Sequence, residues 1–375
     1  MRGDVVIAGI GHTAFGKLPG RSPTSMNVEA VRNALADARV EKEAVDAVFV
    51  KYPTSGHVPM YGQVVAEALG VQPRIGGVWD QGGATNISML SFAAMAIAHG
   101  QCDVAVVTTA DNPRTGTRQA YERAWGDDAV FGWFGTPAGY AMIARRHMEE
   151  FGTTHEHLGE IAVAARRHGA ANPDAQLRSA ITLEDFARSR PVVDPFCRDD
   201  CCLISDGAAA IVVMSKERAR QLGVPAPVPV LGFGQGQTSW EVAQRPTLTE
   251  TAAAVSARTA FAMAGVRPED VDVAQLYDCF TITVLMTLED YGFCTKGQGG
   301  PFVAGGTLQL GGGLPANTSG GLLSETGMPG MQLVLEGVRQ MRGTSANQVA
   351  GARTCVVSNQ GGIMHTHSTL VLGQE

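Results

Sequence analysis

A stretch of this chain is written twice. Residues 34–47 read ALADARVEKEAVDA and residues 260–273 read AFAMAGVRPEDVDV. At one constant offset, Ala34, Ala36, Ala38, Val40, Glu43, Val45 and Asp46 meet Ala260, Ala262, Ala264, Val266, Glu269, Val271 and Asp272. Each copy reads as an Ala-rich helix, a polar turn and a strand, Ala47–Val50 in one and Val273–Leu276 in the other. The apolar runs Asp103–Thr109 and Arg353–Ser358 add a second matched pair of buried strands. The pattern predicts two pseudo-symmetric halves, residues 1–240 and 241–375.

Other elements fill the space between these strands. Met60–Ala68 and Ile87–His99 read as helices, and the second is apolar on nearly every face, which predicts a buried central helix. Pro137–Phe151 and His157–Ala171 are longer, more basic and amphipathic. They form a helical insertion in the first half, about residues 112–200, ahead of a strand at Ile211–Met214. Strands alternating with helices predict an α/β fold with helix-covered sheets.

Hydrophobic residues make up 45% of the chain and charged residues 17%, enough apolar material for a large core. The net charge of −7, with no long Lys or Arg run, leaves no electrostatic footprint for nucleic acid. No apolar stretch is long enough to span a bilayer and no secretory h-region opens the chain. Seven scattered cysteines then read as reduced thiols of a cytoplasmic protein. Cys197, Cys201 and Cys202 crowd together without the spacing of a zinc knuckle or a nearby matching pair, so buried core thiols are the expectation and no metal site is assigned. Gly9-Ile10-Gly11-His12-Thr13-Ala14 matches a dinucleotide fingerprint, but a Gly- and Pro-rich stretch follows instead of a helix start. The next strand ends in Lys51, not in an acid for a ribose. The glycines are expected to serve a tight turn.

Four longer stretches belong together: YDCFTITVLMTLEDYGFC (277–294), NTSGGLLSE (317–325), CRDDCCLISDGAAAIVVM (197–214) and SNQGGIMHTHSTLVLG (358–373). They resemble the sterol-carrier-protein-type, or lipid-transfer-protein-type, thiolases, and the similarity runs over essentially the whole chain. The resemblance implies a thiolase fold of five layers, αβαβα, a homodimer, and coenzyme A thioesters as substrates, with no bound cofactor. Working thiolases place a nucleophilic Cys at the N-terminus of the central helix, where helix N–H groups favour the thiolate. A His in a Gly-His-Pro turn and a second Cys near the C-terminus complete their acid–base set.

This sequence departs at all three places. The turn before the central helix reads Gln81-Gly82-Gly83-Ala84-Thr85-Asn86, and the nucleophile slot falls on Gly83, to within one residue. Thr85 has no evident base beside it and is expected to cap or begin the helix. The Gly-His-Pro turn is replaced by Thr326-Gly327-Met328-Pro329, and the second Cys slot holds Asn359 or Ser358.

Tyr277 stands where the family often has His in a His-Asp-Cys-Phe run. Tyr without Cys resembles the branch that acts as aldolases in steroid side-chain degradation. These cleave a β-hydroxyacyl-CoA by retro-aldol chemistry, which needs a base for the hydroxyl and donors for the enolate oxygen but no covalent nucleophile. That branch carries a second Tyr after the Ser-Glu pair, which this sequence lacks. A strand at Ile363–Leu372 would put His365 and His367 on one face. His367 fits the family's Thr-His ending and, with Tyr277, is assigned to catalysis. Gly83, Asn317, Ser319, Asn359 and His365 are assigned to substrate binding. The resemblance also implies a small partner that combines an oligosaccharide-binding-type barrel with a zinc ribbon. Two other readings stay open: a non-catalytic scaffold that binds acyl-CoA or lipid, and an acyl-transfer subunit dependent on a partner.

Overall fold

The written repeat is a spatial one. The computed structural model describes residues 2–56, 58–117, 127–133, 135–327 and 330–374. Strands β1 (Val5–His12), β2 (Ala47–Lys51), β3 (Ile75–Trp79) and β4 (Val104–Asp111) come first. A ribbon of β5 (Pro191–Val193) and β6 (Phe196–Cys197) precedes β7 (Gly207–Ser215). The rest are β8 (Val228–Gln237), β9 (Val273–Gln275), β10 (Thr354–Gly361) and β11 (Thr366–Gly373). Outside the ribbon, the strands follow the order β3-β2-β4-β7-β1-β8-β11-β10-β9. Outward from the β1–β8 junction, the series β1-β7-β4-β2 is matched by β8-β11-β10-β9. Orientations match as well: β4 is antiparallel to β7 and parallel to β2, and β10 is antiparallel to β11 and parallel to β9.

The helices repeat the same symmetry. Helices α1 (Pro23–Ala38) and α2 (Tyr61–Leu69) cover the outside of the first strand set. Helix α3 (Thr85–Ala98) touches β2, β4 and β7 on one side and β8, β10 and β11 on the other, so it is the buried central helix. An insertion of α4 (Thr136–Phe151), α5 (His155–Ala171) and α6 (Leu183–Ala187) lies between β4 and the ribbon, and α7 (Lys216–Leu222) follows β7. In the second set, α8 (Ala253–Ala264) covers β8 and β11 and packs on α9 (Thr281–Asp290). The short α10 (Gly299–Val303) and α11 (Gly321–Ser324) lead to α12 (Met331–Arg342), which lies beside α3 in the middle layer. Sheet residues feed both sides: along β7, Ala209, Ile211 and Val213 face the central layer while Ala208, Ala210, Val212 and Met214 face α1 and α2. Burial on both faces is why these strands read as continuous apolar runs. Among the described residues, no helix is long and apolar enough to cross a membrane.

Two details show why the repeated letters repeat. Asp46 accepts hydrogen bonds from the backbone N–H groups of Asp103 (3.0 Å) and Val104 (2.9 Å), at the start of β4. Asp272 accepts from Arg353 (2.8 Å) and Thr354 (2.9 Å), at the start of β10. The repeated alanines are contact points for glycines. A Cβ on Gly9 would lie 2.2 Å from the Ala34 carbonyl oxygen, and one on Gly232 would lie 2.3 Å from that of Ala260. Gly9 and Gly11 therefore sit inside β1 and let it press against α1. The expected tight turn is corrected: the glycines serve close strand–helix packing, which the sequence match to a fingerprint disguised.

A Cβ on Gly11 would fall 2.3 Å from Ala34 N and 2.4 Å from Ala30 O, both backbone atoms that only a shift of α1 relieves. Gly11→Ala should lower unfolding stability by about 1–3 kcal/mol or more. Gly234→Ala, whose Cβ meets the Ser256 carbonyl oxygen at 2.1 Å, should do the same in the other half. Urea unfolding midpoints at unchanged slope check both.

Candidate active site

The N-terminal turn of α3 is built around glycine. Thr85 Oγ1 donates to the Gly82 carbonyl and accepts from Gln81 N, both at 2.7 Å, so this hydroxyl is spent on holding the turn at the start of the helix. At Gly83 a Cβ would lie 2.3 Å from the Tyr277 hydroxyl oxygen, 2.5 Å from its Cζ, and 2.2 Å from the Gln360 carbonyl oxygen. The phenol thus fills the volume that a side chain at residue 83 would need. Helix-terminal N–H groups nearby make this turn electropositive.

Tyr277 is set by the end of β9. Asn317 Oδ1 accepts from Leu276 N (2.6 Å) and its Nδ2 donates to Leu276 O (2.9 Å), clamping the preceding peptide from both sides. Tyr277 N donates to Ser358 Oγ at 2.9 Å, and its carbonyl accepts from Thr283 Oγ1 at 2.6 Å. The next residue, Asp278, caps α11 by accepting from Leu322 N (2.8 Å) and Leu323 N (3.2 Å), while burial pushes its carboxyl up to about 7.

Tyr277 and Gly83 face a cavity of about 780 Å³. Leu203, Phe280, Leu322, Leu323, Ile363 and Trp240 give it apolar walls, and Arg114, Arg166 and Arg198 bring positive charge. Arg166 is paired with Asp199 at 3.1 Å. No histidine is among the described lining residues. Three thiols are, Cys201, Cys202 and Cys279, and each is suppressed by burial: Cys202 is pushed up to about 12, and the other two are raised as well. A thiol in that state is a poor nucleophile at neutral pH.

Sequence reasoning missed the part of the wall that the insertion supplies. Tyr140 of α4 donates its hydroxyl to the Gly362 carbonyl, packs on Phe280 with centroids 4.5 Å apart, and accepts from Gln360 Nε2 at 2.7 Å. Gln360 Nε2 also lies 2.9 Å from Cys279 Sγ. Nothing in the sequence spacing links residue 140 to residue 360.

The other assigned residues separate. Thr366 Oγ1 and Ser368 Oγ donate to the Gln81 and Ala84 carbonyls, so those side chains face α3. His367, between them, faces the other way. Its Nε2 lies 3.0 Å from the Tyr291 hydroxyl, and burial depresses its imidazole to about 3. The expected Tyr277–His367 pair is therefore not formed: Tyr277, beyond the end of β9, lies against the α3 turn, while alternation along β11 turns His367 away from α3. Nor do the two histidines share a face, because β11 starts at Thr366 and His365 precedes it. His365 stacks on Trp240 at 4.8 Å, with Nδ1 2.9 Å from the Ser239 carbonyl. Asn359 pairs with Ser368 across the ladder and so shares the α3-facing side. Its Nδ2 donates to the Ser358 (2.8 Å) and Gly330 (3.2 Å) carbonyls. Asn317 and Ser319 are buried behind the wall, and Ser319 Oγ donates to Glu325 at 2.6 Å. Of the turn expected at 326–329, Thr326 is buried and Gly327 lines the cavity, while Met328 and Pro329 lie outside the described residues.

Neutral His367 links stability to pH. Its folded value of about 3 lies below the ordinary 6.5, so its contribution is full above about pH 6.5 and is lost as pH falls towards 3. His367→Gln should flatten the acid side of a stability-versus-pH curve measured by chemical unfolding. A second expectation concerns the Gly83 contact. Gly83→Ala should move the Tyr277 ring and remove activity while leaving the far sheet edges unchanged, as hydrogen exchange would show.

Comparison with known proteins agrees with this architecture. Residues 234–374 match the family described as "Thiolase C-terminal domain-like". The chain is 39% identical to the "Steroid side-chain-cleaving aldolase" of Thermomonospora curvata, over all of this chain and 98% of that protein. It is 39% identical to the "17-hydroxy-3-oxo-4-pregnene-20-carboxyl-CoA lyase" of Mycobacterium tuberculosis, over all of both. The solved "Ltp2-ChsH2(DUF35) aldolase" superposes with a TM-score of 0.90 at 37% identity, covering all of this chain and 98% of that one. The chain belongs to the sterol-carrier-protein-type branch of the thiolase family, and it carries no cysteine in the turn that opens α3.

Proposed function

We propose that this protein cleaves a β-hydroxyacyl-CoA with a bulky apolar acyl group, of the steroid side-chain type, by a retro-aldol reaction. The observation that carries this reading is the Tyr277 hydroxyl in the volume beside Gly83, at the N-terminus of α3 and open to a large apolar cavity. In the reaction the β-hydroxyl gives up its proton and its oxygen becomes the carbonyl of a ketone. The Cα–Cβ bond breaks, and its electron pair forms the thioester enolate. Protonation at Cα then releases the shorter acyl-CoA. Tyr277 fits the role of exchanging the hydroxyl proton, and the N–H groups of the α3 turn fit the developing enolate oxygen. No thiolate is needed, which agrees with three thiols that burial keeps protonated.

The wall arginines suit the phosphates of coenzyme A. The names of the two relatives and of the solved complex support the substrate class and a second subunit. We assign that subunit to a small protein with an oligosaccharide-binding-type barrel and a zinc ribbon. Homodimer formation is supported by β3, which ends the strand order and so has one edge without a strand partner among the described residues. Seven free cysteines agree with a reducing, cytoplasmic setting.

Tyr277→Phe removes one hydroxyl and keeps the ring. Cleavage of a β-hydroxyacyl-CoA, assayed with the partner subunit present, should fall by about 10²–10⁴. Cleavage at full rate would remove Tyr277 from the mechanism, and a stable labelled acyl-enzyme would overturn the non-covalent reading. Acyl-CoA binding without any cleavage by the wild-type complex would favour the scaffold.

A further inference from the structure

Beside the Tyr277 cavity, three chemically distinct side chains converge. His155 opens α5, Cys197 ends the ribbon, and Asp200 lies three residues further on, in the turn whose residues Arg198, Asp199 and Cys201 line the cavity. One ligand atom from each, an imidazole nitrogen, a thiol sulfur and a carboxylate oxygen, lies within 4.8 Å of the other two. His155 Nε2 is 3.4 Å from Asp200 Oδ2, and that nitrogen is buried without a hydrogen bond of good geometry. We propose that His155, Cys197 and Asp200 form a binding site for a borderline divalent transition-metal ion, of which Zn²⁺ is the best match.

The geometry separates this from the other use of Cys, His and Asp. In a nucleophilic relay the imidazole bridges acid and thiol through its two nitrogens, so the ring itself holds those partners well apart. Here acid and thiol lie within 4.8 Å of each other as well as of the ring nitrogen, the arrangement of donors around a common centre. A His–Asp ion pair accounts for two of the groups, and outside the cluster the Cys197 thiol makes a long 3.9 Å contact to the Phe186 carbonyl oxygen. One nitrogen, one sulfur and one oxygen select zinc or cobalt over magnesium or calcium, which take oxygen ligands. Three protein donors leave a fourth, tetrahedral position for water.

Surrounding contacts hold the donors in place. Asp200 Oδ1 accepts from Thr281 Oγ1 at 2.5 Å and Oδ2 accepts from Cys197 N at 2.8 Å. The His155 ring lies on Phe186 with centroids 4.6 Å apart. Cys197 and Asp200 are buried, while the His155 side chain is 39% exposed and gives the ion a path in. A bound ion would tie the start of α5 to the ribbon and, through Thr281, to the start of α9, stiffening the cavity wall at 198–201.

The test uses the full chain, stripped with a chelator and titrated with Co²⁺, then with Zn²⁺ in competition. One equivalent should bind with tetrahedral visible bands and a near-ultraviolet thiolate-to-cobalt band. Cys197→Ser should abolish the thiolate band and weaken binding by more than about 100-fold, beyond the loss typical of an outer-shell partner. His155→Ala, at a half-exposed position, should weaken it similarly, with circular dichroism confirming the fold of both variants. Zn²⁺ should raise the unfolding temperature of the wild type and not of the variants. No saturable uptake, or uptake and spectra unchanged in either variant, would overturn the site.

Discussion

The contact between Gly83 and the phenol of Tyr277 organises the rest of the site. A thiolase nucleophile and a tyrosine hydroxyl cannot share the end of α3, because the hydroxyl oxygen lies where a Cβ would be. The contact sets a phenol, in place of a side chain at residue 83, against an electropositive helix terminus. The surrounding clamp follows from the same need. Asn317 and Ser358 hold the backbone leading into Tyr277 and Thr283 holds its carbonyl, so the backbone that carries the ring is fixed by side-chain hydrogen bonds.

The pseudo-two-fold places that contact at the centre of the molecule. Helix α3 touches strands of both halves, and its N-terminal turn meets the ends of β9 and β10 from the opposite half. The insertion breaks the symmetry. Its helix α5 packs on α9, α10 and α11, all of the second half, and α4 brings Tyr140 to the C-terminal loop at Gly362. One half supplies the helix terminus, the other the phenol, and the insertion closes the wall over both.

Burial around the site shifts several ionisable groups towards their neutral forms. Asp278 is pushed up to about 7 and Glu325 to about 8, His367 is depressed to about 3, and the cavity thiols are raised. Such a region is a poor solvent for charge, so hydrogen bonds aimed at a developing enolate count for more than they would in water. The same property disfavours a thiolate at the cavity cysteines.

What the sequence determined by itself is everything carried by short-range pattern. The Ala-rich repeat set the matched helix–turn–strand units, though the second strand series begins at β8, ahead of the boundary expected at 240, and the apolar Ile87–Ala98 run set the central helix. These are legible because helix and strand periods, and residues strung along one segment, are local. Only the tertiary structure decided which faces meet. It turned His367 away from Tyr277, since one residue of strand alternation reverses a side chain. It put His365 outside β11, set Asn317 on the Leu276 backbone and paired Ser319 with the Glu325 carboxyl. It also placed Tyr140 against Gln360 and gathered His155 with Cys197 and Asp200. Those meetings span tens to hundreds of residues and depend on how sheets and inserted helices pack, which no spacing along the chain encodes.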